Sequence, residues 1–375
     1  KLKKKNIDNV ILEASSHGLK QNRLNGLNFK TALFTNLSHD HLDYHKNFKN
    51  YLNAKLYLFE NLLNKNSNII TDITIPEYKK IKKISLRNKL NLKTIGVGKG
   101  DLNIITHEYV REKQVIKIKY KNNFYNFETN LIGKIQIKNL LMAMIAAEKS
   151  NIDFKNILNV ISKVNPVSGR LEKIGRIRNN SKIILDYAHT PDALKTCLQN
   201  LKDQFKNNKI SIVFGCGGDR DKFKRPRMGQ IVNQFCNKIY LTDDNPRKEN
   251  PKKIRSSIKS KINKLKLYEI PSREKAIKEA IKNLSTGEIL IVAGKGHENV
   301  QDYGNSKKFF SDKKCILKNI KQKNKHLSKD LKLNILKEES QQNHFSLKTK
   351  LRQASINSKK IKKNDIFFAI KGKKK

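Results

Sequence analysis

The chain has 375 residues, with 80 Lys and Arg against 33 Asp and Glu, a formal net charge of +47 and 37% hydrophobic content. That length exceeds one ordinary core and calls for about two or three domains. The longest apolar stretch, Leu140–Ala147, falls far short of a bilayer crossing, so no membrane insertion is expected.

The elements follow in chain order. Residues 1–164 read as one α/β unit: a strand over Asn9–Glu13, a strand over Thr31–Asn36, a His-rich loop over Ser38–His45 and a helix over Lys49–Leu63. Strand-like segments follow around Ile69, Thr94–Val97, Ile104–Glu108 and Val115–Tyr120. A helix over Asn139–Lys149, apolar on most sides, is predicted to be buried. Asn165-Pro166-Val167-Ser168-Gly169 has the composition of a hinge. A second α/β unit is expected over 165–321, with strands at Lys182–Asp186, Lys209–Phe214, Lys238–Thr242, Tyr268–Ile270 and Ile289–Ala293. The strand–helix alternation is that of a doubly wound sheet. Residues 322–345, rich in Lys, Asn, Gln and Ser, read as a linker, and residues 346–375 start something new.

The ends carry their own message. The chain opens at Lys1 without an initiator Met and closes just after a strand-like run, Asp365–Ile370. Both ends look cut, and a fragment of a longer protein is expected. No signal-peptide pattern is visible. Cys197, Cys216, Cys236 and Cys315 are widely spaced with no Cys-x-x-Cys pair, which argues against a disulfide framework or a zinc site and suits a cytoplasmic location. The positive charge invites a nucleic-acid reading. The lysines, however, are spread along the whole chain with Asn and Ile. There is no RNP-type aromatic motif, zinc-finger spacing or helix-turn-helix signature. A solvated lysine-rich surface without a nucleic-acid partner is the expectation, and a basic nucleic-acid-binding protein is the competing class.

Three polar loops carry the most chemistry. Gly215-Cys216-Gly217-Gly218-Asp219-Arg220, Asp244-Asn245-Pro246-Arg247 and Gly294-Lys295-Gly296-His297-Glu298 each follow an apolar run. In a parallel sheet such runs are buried strands whose carboxyl ends share one edge. Guanidinium and carboxylate gathered there suit a zwitterion such as an amino acid, because Arg grips a carboxylate bidentately and Asp or Glu receives an ammonium. Earlier in the chain, Glu13 and His41 follow adjacent strands and could share a divalent metal such as magnesium. Spacing alone serves a loop-capping Glu13 and a surface His41 equally well. Lys55, on the apolar helix, could lose its proton through partial burial and become a carbamate, or simply snorkel. Asp186 closes a strand, Thr190-Pro191-Asp192 makes a helix start, and Arg170 lies just past the hinge, where it could meet phosphates.

Taken together, these clusters resemble the Mur ligase family, in particular its members that add meso-diaminopimelate to UDP-MurNAc-L-Ala-D-Glu. The matching residues run from Glu13 to about Asp312. The resemblance implies a partial central ATPase domain, a P-loop-type α/β sheet lacking its first strand and phosphate loop, followed by a Rossmann-like C-terminal domain. It implies Glu13 and His41 as Mg2+ ligands and Lys55 as a carbamylated lysine (N6-carboxylysine), these three forming the catalytic set. Ser15, Gln21 and Arg23 would hold UDP-MurNAc-L-Ala-D-Glu, while Asp186 and Arg170 would serve ATP. Arg220, Asp244, Asn245, Pro246, Arg247, Gly294 and Glu298 would bind meso-diaminopimelate. In relatives that add L-lysine the position of Arg247 is not Arg, so Arg247 favours a substrate with a second carboxylate. Folylpolyglutamate-type ligases share the architecture and form the alternative enzyme reading.

Two departures matter. The family's N-terminal uridine-nucleotide domain is missing, and no Gly-x-x-x-x-Gly-Lys-Ser/Thr loop occurs; Gly96–Asp101 and Gly294–Glu298 do not fit it. Without those amides the β- and γ-phosphates of ATP have no cradle, and the chain as given is expected to be inactive alone. The tail from Ser355 to Gly372 resembles the opening of the next ligase of the pathway, which adds D-alanyl-D-alanine. A covalent fusion of the two consecutive ligases is the expectation, and a circular permutation its alternative.

Overall fold

The computed structural model describes residues 9–38 and 40–329, together with a strand pair, Ala354–Ser355 and Ile366–Phe367. The expectations for residues 330–345 and, that pair apart, for 346–375 lie outside the described residues. The chain forms two compact units. One gathers the chain up to Glu172 with Ala188–Asn207 and Asp219–Phe235; the other gathers Lys173–Tyr187, Asn208–Gly218 and the chain from Cys236 onward. Among the described residues no helix is long and apolar enough to cross a membrane.

The first unit contains α1 (Ser16–Lys20), β1 (Phe29–Phe34), α2 (Leu42–His45), α3 (Phe48–Asn61), β2 (Leu63–Asp72), α4 (Tyr78–Arg87), β3 (Asn91–Val97), β4 (Leu102–Val110), β5 (Lys113–Tyr120), β6 (Asn123–Thr129), α5 (Lys134–Glu148) and α6 (Phe154–Val160). Its sheet keeps sequence order from β1 to β6. β1 to β4 are parallel, and β4 to β6 form an antiparallel meander. Both meander turns are two-residue loops, Arg111-Glu112 and Lys121-Asn122, with all four residues at positive φ. That backbone matches the right-handed twist of the flanking strands. α5 starts earlier than its apolar run suggested, and it buries Ile137, Leu141, Met142, Met144 and Ile145. The Asn9–Glu13 run is not a strand. It is irregular, with Val10 63% and Ile11 99% exposed. An apolar run becomes a strand only with a neighbour for its backbone groups. Among the described residues β1 has only β2 beside it, and no strand pairs with 9–13.

The second unit is built on β7 (Glu172–Lys173), β8 (Lys182–Asp186), β9 (Ile210–Phe214), β10 (Lys238–Leu241), β11 (Leu267–Glu269) and β12 (Ile289–Ala293), in the order β11-β10-β9-β12-β8-β7. From β11 to β8 every pairing is parallel. All five residues of β8, β9 and β12 are buried, which explains why these strands are mostly apolar, with Lys182, Asp186 and Ser211 as their polar members. α7 (Pro191–Gln204) and α8 (Lys224–Phe235) lie in segments assigned to the first unit. Thr190 caps α7 by accepting from the Ala193 N–H at 3.3 Å. α9 (Pro251–Lys259), α10 (Arg273–Lys282), the hairpin of β13 (Val300–Asp302) and β14 (Lys307–Phe309), and α11 (Asp312–Lys329) complete the second unit. α11 continues into the stretch read as a linker. Lys and Gln are good helix formers, and Ile316, Ile320 and Leu327 recur at helical spacing against the core.

Candidate active site

In the second unit the parallel register sets strand ends side by side: Leu241 pairs with Phe214, Val292 with Val213 and Ala293 with Asp186. The loops that follow interlock. The Gly218 N–H donates to the Asn245 carbonyl at 2.9 Å, and a Cβ at Gly218 would stand 1.9 Å from the Pro246 carbonyl oxygen, so only glycine fits. Asp186 is buried, and its carbonyl accepts from the Gly294 N–H at 3.1 Å.

Three consecutive residues after β10 each face a different buried cation. Asp243 pairs with Arg255 of α9. Asp244 Oδ2 lies 3.9 Å from Nη1 of Arg273 at the start of α10. Asn245 Oδ1 accepts from Lys295 Nζ at 2.9 Å. Burial pushes the Asp243 carboxyl up even against the Arg255 guanidinium. Lys295 has no exposed surface and also donates to Glu298 Oε2 at 2.9 Å and to the Val300 carbonyl at 2.7 Å. Burial alone would raise the Glu298 carboxyl, but Lys295, Asn245 and Tyr187 outweigh it and hold it below the usual range. Glu298 therefore presents an anion at neutral pH. Arg247 is half-buried at φ 50°, with Nη1 donating to the Gly218 carbonyl at 2.6 Å. A cleft of about 440 Å3 opens beside it, lined by Pro246, Arg247, Lys248, Glu249 and Tyr303 among others. The fold thus brings Asp244, Asn245, Pro246, Arg247, Gly294 and Glu298 together. Arg220 is exposed and falls in a segment of the first unit.

The first unit holds the other group. Glu13 is exposed in the irregular stretch before α1. Ser15 caps α1, its Oγ accepting from the Gly18 N–H at 3.1 Å. Gln21 ends that helix and donates from Nε2 to the Tyr44 hydroxyl at 3.1 Å, and Arg23 is exposed two residues on. His41 precedes α2 in the left-handed region at φ 56°, with Nε2 3.5 Å from Asp40 Oδ2. Aromatic rings pack around it: His17 edge-on at 4.9 Å and Tyr51 at 6.0 Å between centroids. His45, buried, bonds Ser16 Oγ through Nε2 at 3.0 Å and stacks on Tyr51. The Lys55 ammonium lies 5.4 Å from the Tyr51 ring centroid. Burial pushes the Lys55 amine below its ordinary pKa, against Glu13 and Asp40, whose charges favour the ammonium. Arg170 is exposed, and its carbonyl accepts from Gln136 Nε2 at 2.8 Å.

Residues 1–147 match the Mur ligase middle domain and residues 169–296 the Mur ligase glutamate ligase domain. The chain is 38% identical over 368 residues to the UDP-N-acetylmuramoyl-L-alanyl-D-glutamate--2,6-diaminopimelate ligase of Rickettsia felis, covering 84% of this chain and 68% of that protein. The chain belongs to the Mur ligase family. The ligase of the same name from Rickettsia rickettsii is 44% identical to this Mur ligase over 316 residues, 84% of this chain and 65% of the relative. The chain thus spans about two thirds of the length of such relatives. A solved structure of a ligase with that name gives a TM-score of 0.56 at 34% identity, over 83% of this chain and 64% of its own.

The donor set near Lys55 also bears on the magnesium that Mur ligases imply. Among the described residues no three His, Cys, Asp or Glu groups converge. Magnesium commonly takes only one or two protein ligands and keeps waters and phosphate oxygens for the rest, so an imidazole and a carboxylate fit it. Sequence reasoning gave no role to Arg255, Arg273 or Lys295, the buried cations behind the Mur ligase loops. Only Lys295, set between two glycines after a buried strand, left a signal.

Proposed function

We propose that this chain supplies the central part (1–164) and the amino-acid-binding part (165–321) of an ATP-dependent amide ligase. Its substrates are UDP-MurNAc-L-Ala-D-Glu, meso-diaminopimelate and ATP, and its setting is the cytoplasm. The observation that supports this reading is the second-unit loop set, which carries Arg247 and Asp244 on the loop after β10 and Glu298 on the interlocked loop after β12. Those charges complement an amino acid with an extra carboxylate. The diaminopimelate named for the Rickettsia relatives supports the same choice.

In this reaction ATP transfers its γ-phosphoryl group to the D-glutamate side-chain carboxylate. The amine of diaminopimelate attacks the resulting acyl phosphate, a tetrahedral intermediate forms, and phosphate leaves as the amide is made. Ser15, Gln21 and Arg23 hold the nucleotide-sugar dipeptide, Asp186 and Arg170 serve ATP, and Arg220 joins the amino-acid residues. Glu13 and His41 would hold Mg2+, whose charge neutralises the phosphoryl oxygens when bound. A carbamylated Lys55 would place an anion beside them, where a native ammonium would repel the ion.

The test is calorimetric titration of the chain with meso-diaminopimelate, L-lysine and L-glutamate. Wild type should prefer meso-diaminopimelate, and Arg247→Ala should weaken that binding by about 2–5 kcal/mol, the usual cost of losing a desolvated charge-assisted pair. Preference for glutamate would favour a folylpolyglutamate-type ligase. Steeply salt-dependent DNA binding without amino-acid binding would favour a nucleic-acid-binding protein.

A further inference from the structure

Arg273 is the largest fully buried side chain of the described residues, and its five N–H groups are divided unevenly. Nε donates to Asp312 Oδ1 at 2.8 Å and Nη2 to Asp312 Oδ2 at 2.7 Å, a two-point grip on a carboxylate with no exposed surface. Nη2 also donates to the Ala293 carbonyl at 2.9 Å. Nη1 is buried and makes no hydrogen bond, and it faces Asp244 Oδ2, also buried and without a hydrogen bond, 3.9 Å away. One guanidinium therefore stands between two carboxylates and bonds only one of them. The other keeps a buried oxygen held by charge alone. That oxygen would also lie 2.7 Å from a Cβ at Gly294, the residue after the Ala293 that Arg273 holds.

We propose that Arg273 is a positioning residue for amino-acid recognition. Committed to Asp312 and Ala293, it attracts the Asp244 carboxylate by charge without occupying Oδ2. The same side chain fixes the backbone before Gly294, so the loops after β10 and β12 keep their spacing. This inference rests on the amino-acid-ligase reading of the site.

Arg273→Met alone would leave Asp312 buried and unpaired and could unfold the protein, so the test uses Arg273→Met/Asp312→Leu. Replacing a buried ion pair by apolar groups of similar volume is often neutral for stability. The double variant, Asp244→Asn and the triple combination are titrated with meso-diaminopimelate, L-lysine and L-glutamate, and their melting temperatures are recorded. For whichever amino acid wild type binds, the double variant should lose at least tenfold in affinity with its melting temperature within a few degrees. Added to Asp244→Asn, the same change should cost less than twofold, because its effect runs through Asp244. Wild-type affinity in a folded double variant, or losses that simply add, would overturn the inference. A wild type that prefers lysine or glutamate would sink the diaminopimelate reading while the cycle still decides the role of Arg273. Binding of none of the three would sink both.

Discussion

The Lys295 ammonium and the Asn245 side-chain oxygen lie 2.9 Å apart, and that oxygen also accepts the Asp302 N–H at 2.9 Å. One amide thus ties the loop after β10 to the loop after β12 and to β13. Lys295 cannot retreat to water, since none of its surface is exposed.

Lys295→Met should therefore destabilise the second unit. It leaves Glu298 short of its cation and the Val300 carbonyl short of a donor. The Glu298 side chain is 33% exposed and water takes up part of that loss, so the cost is about 1–3 kcal/mol, that of leaving buried polar partners unmatched. Urea unfolding monitored by circular dichroism checks this; a loss under about 1 kcal/mol would class the contact with surface ion pairs.

Gly294 and Gly287 make a matched pair for separating backbone strain from collision. Both have positive φ, 111° and 69°. A Cβ at Gly294 meets Asp244 Oδ2 at 2.7 Å, whereas at Gly287 its nearest neighbour is Asn208 Nδ2 at 3.8 Å. Gly287→Ala should cost about 1–2 kcal/mol, the strain of a left-handed residue, and leave amino-acid binding intact. Gly294→Ala should cost more and also weaken binding by displacing the Asp244 carboxylate. Equal effects on melting temperature and on titration would show that the contact with Asp244 is slack.

How much of this was legible before the fold is clearest at the strands. β8, β9, β10 and β12 lie within about a residue of where their apolar runs put them, because a parallel strand covered on both faces is mostly apolar. β6 was missed because its turn, Lys121-Asn122, uses no glycine and its polar residues blur the alternation. The Asn9–Glu13 run misled for the opposite reason, since it is apolar but pairs with no strand among the described residues. At the site, the loop residues were visible through Gly, Pro and Arg in unusual combination. Arg255 and Arg273 were not, because in a chain with 80 Lys and Arg a buried cation leaves no compositional trace. Their roles come from which carboxylates the helices bring to them.

Glu288 predicts an acid limb of stability. It is 3% exposed; burial would raise its carboxyl, but the Ser211 hydroxyl, the Ser285 N–H and the Lys238 ammonium hold it below the usual value. A depressed carboxyl contributes stability in full above its unfolded value, about 4.3, and loses it as pH falls through the folded value. The melting temperature of wild type should thus exceed that of Glu288→Gln by a constant margin from about pH 6 to 8. The margin should shrink in acid. A margin that widens as pH drops would reverse the assigned sign.

Lys55 makes the sharpest chemical prediction. Its amine is pushed below the ordinary lysine value by burial, so at a given pH more of it is neutral than on a surface lysine. A neutral amine adds carbon dioxide to give a carbamate and a proton, converting a cation into an anion beside Glu13 and Asp40. With 13C-bicarbonate, a protein carbamate resonance should appear in wild type and be absent from Lys55→Ala. In any preparation that shows diaminopimelate-dependent ATP turnover, Lys55→Ala should abolish it. Small carboxylates such as formate or acetate should then partly restore turnover by filling the vacated anionic position. Near-normal turnover of Lys55→Ala without added carboxylate would return Lys55 to the role of a lysine packed along Tyr51.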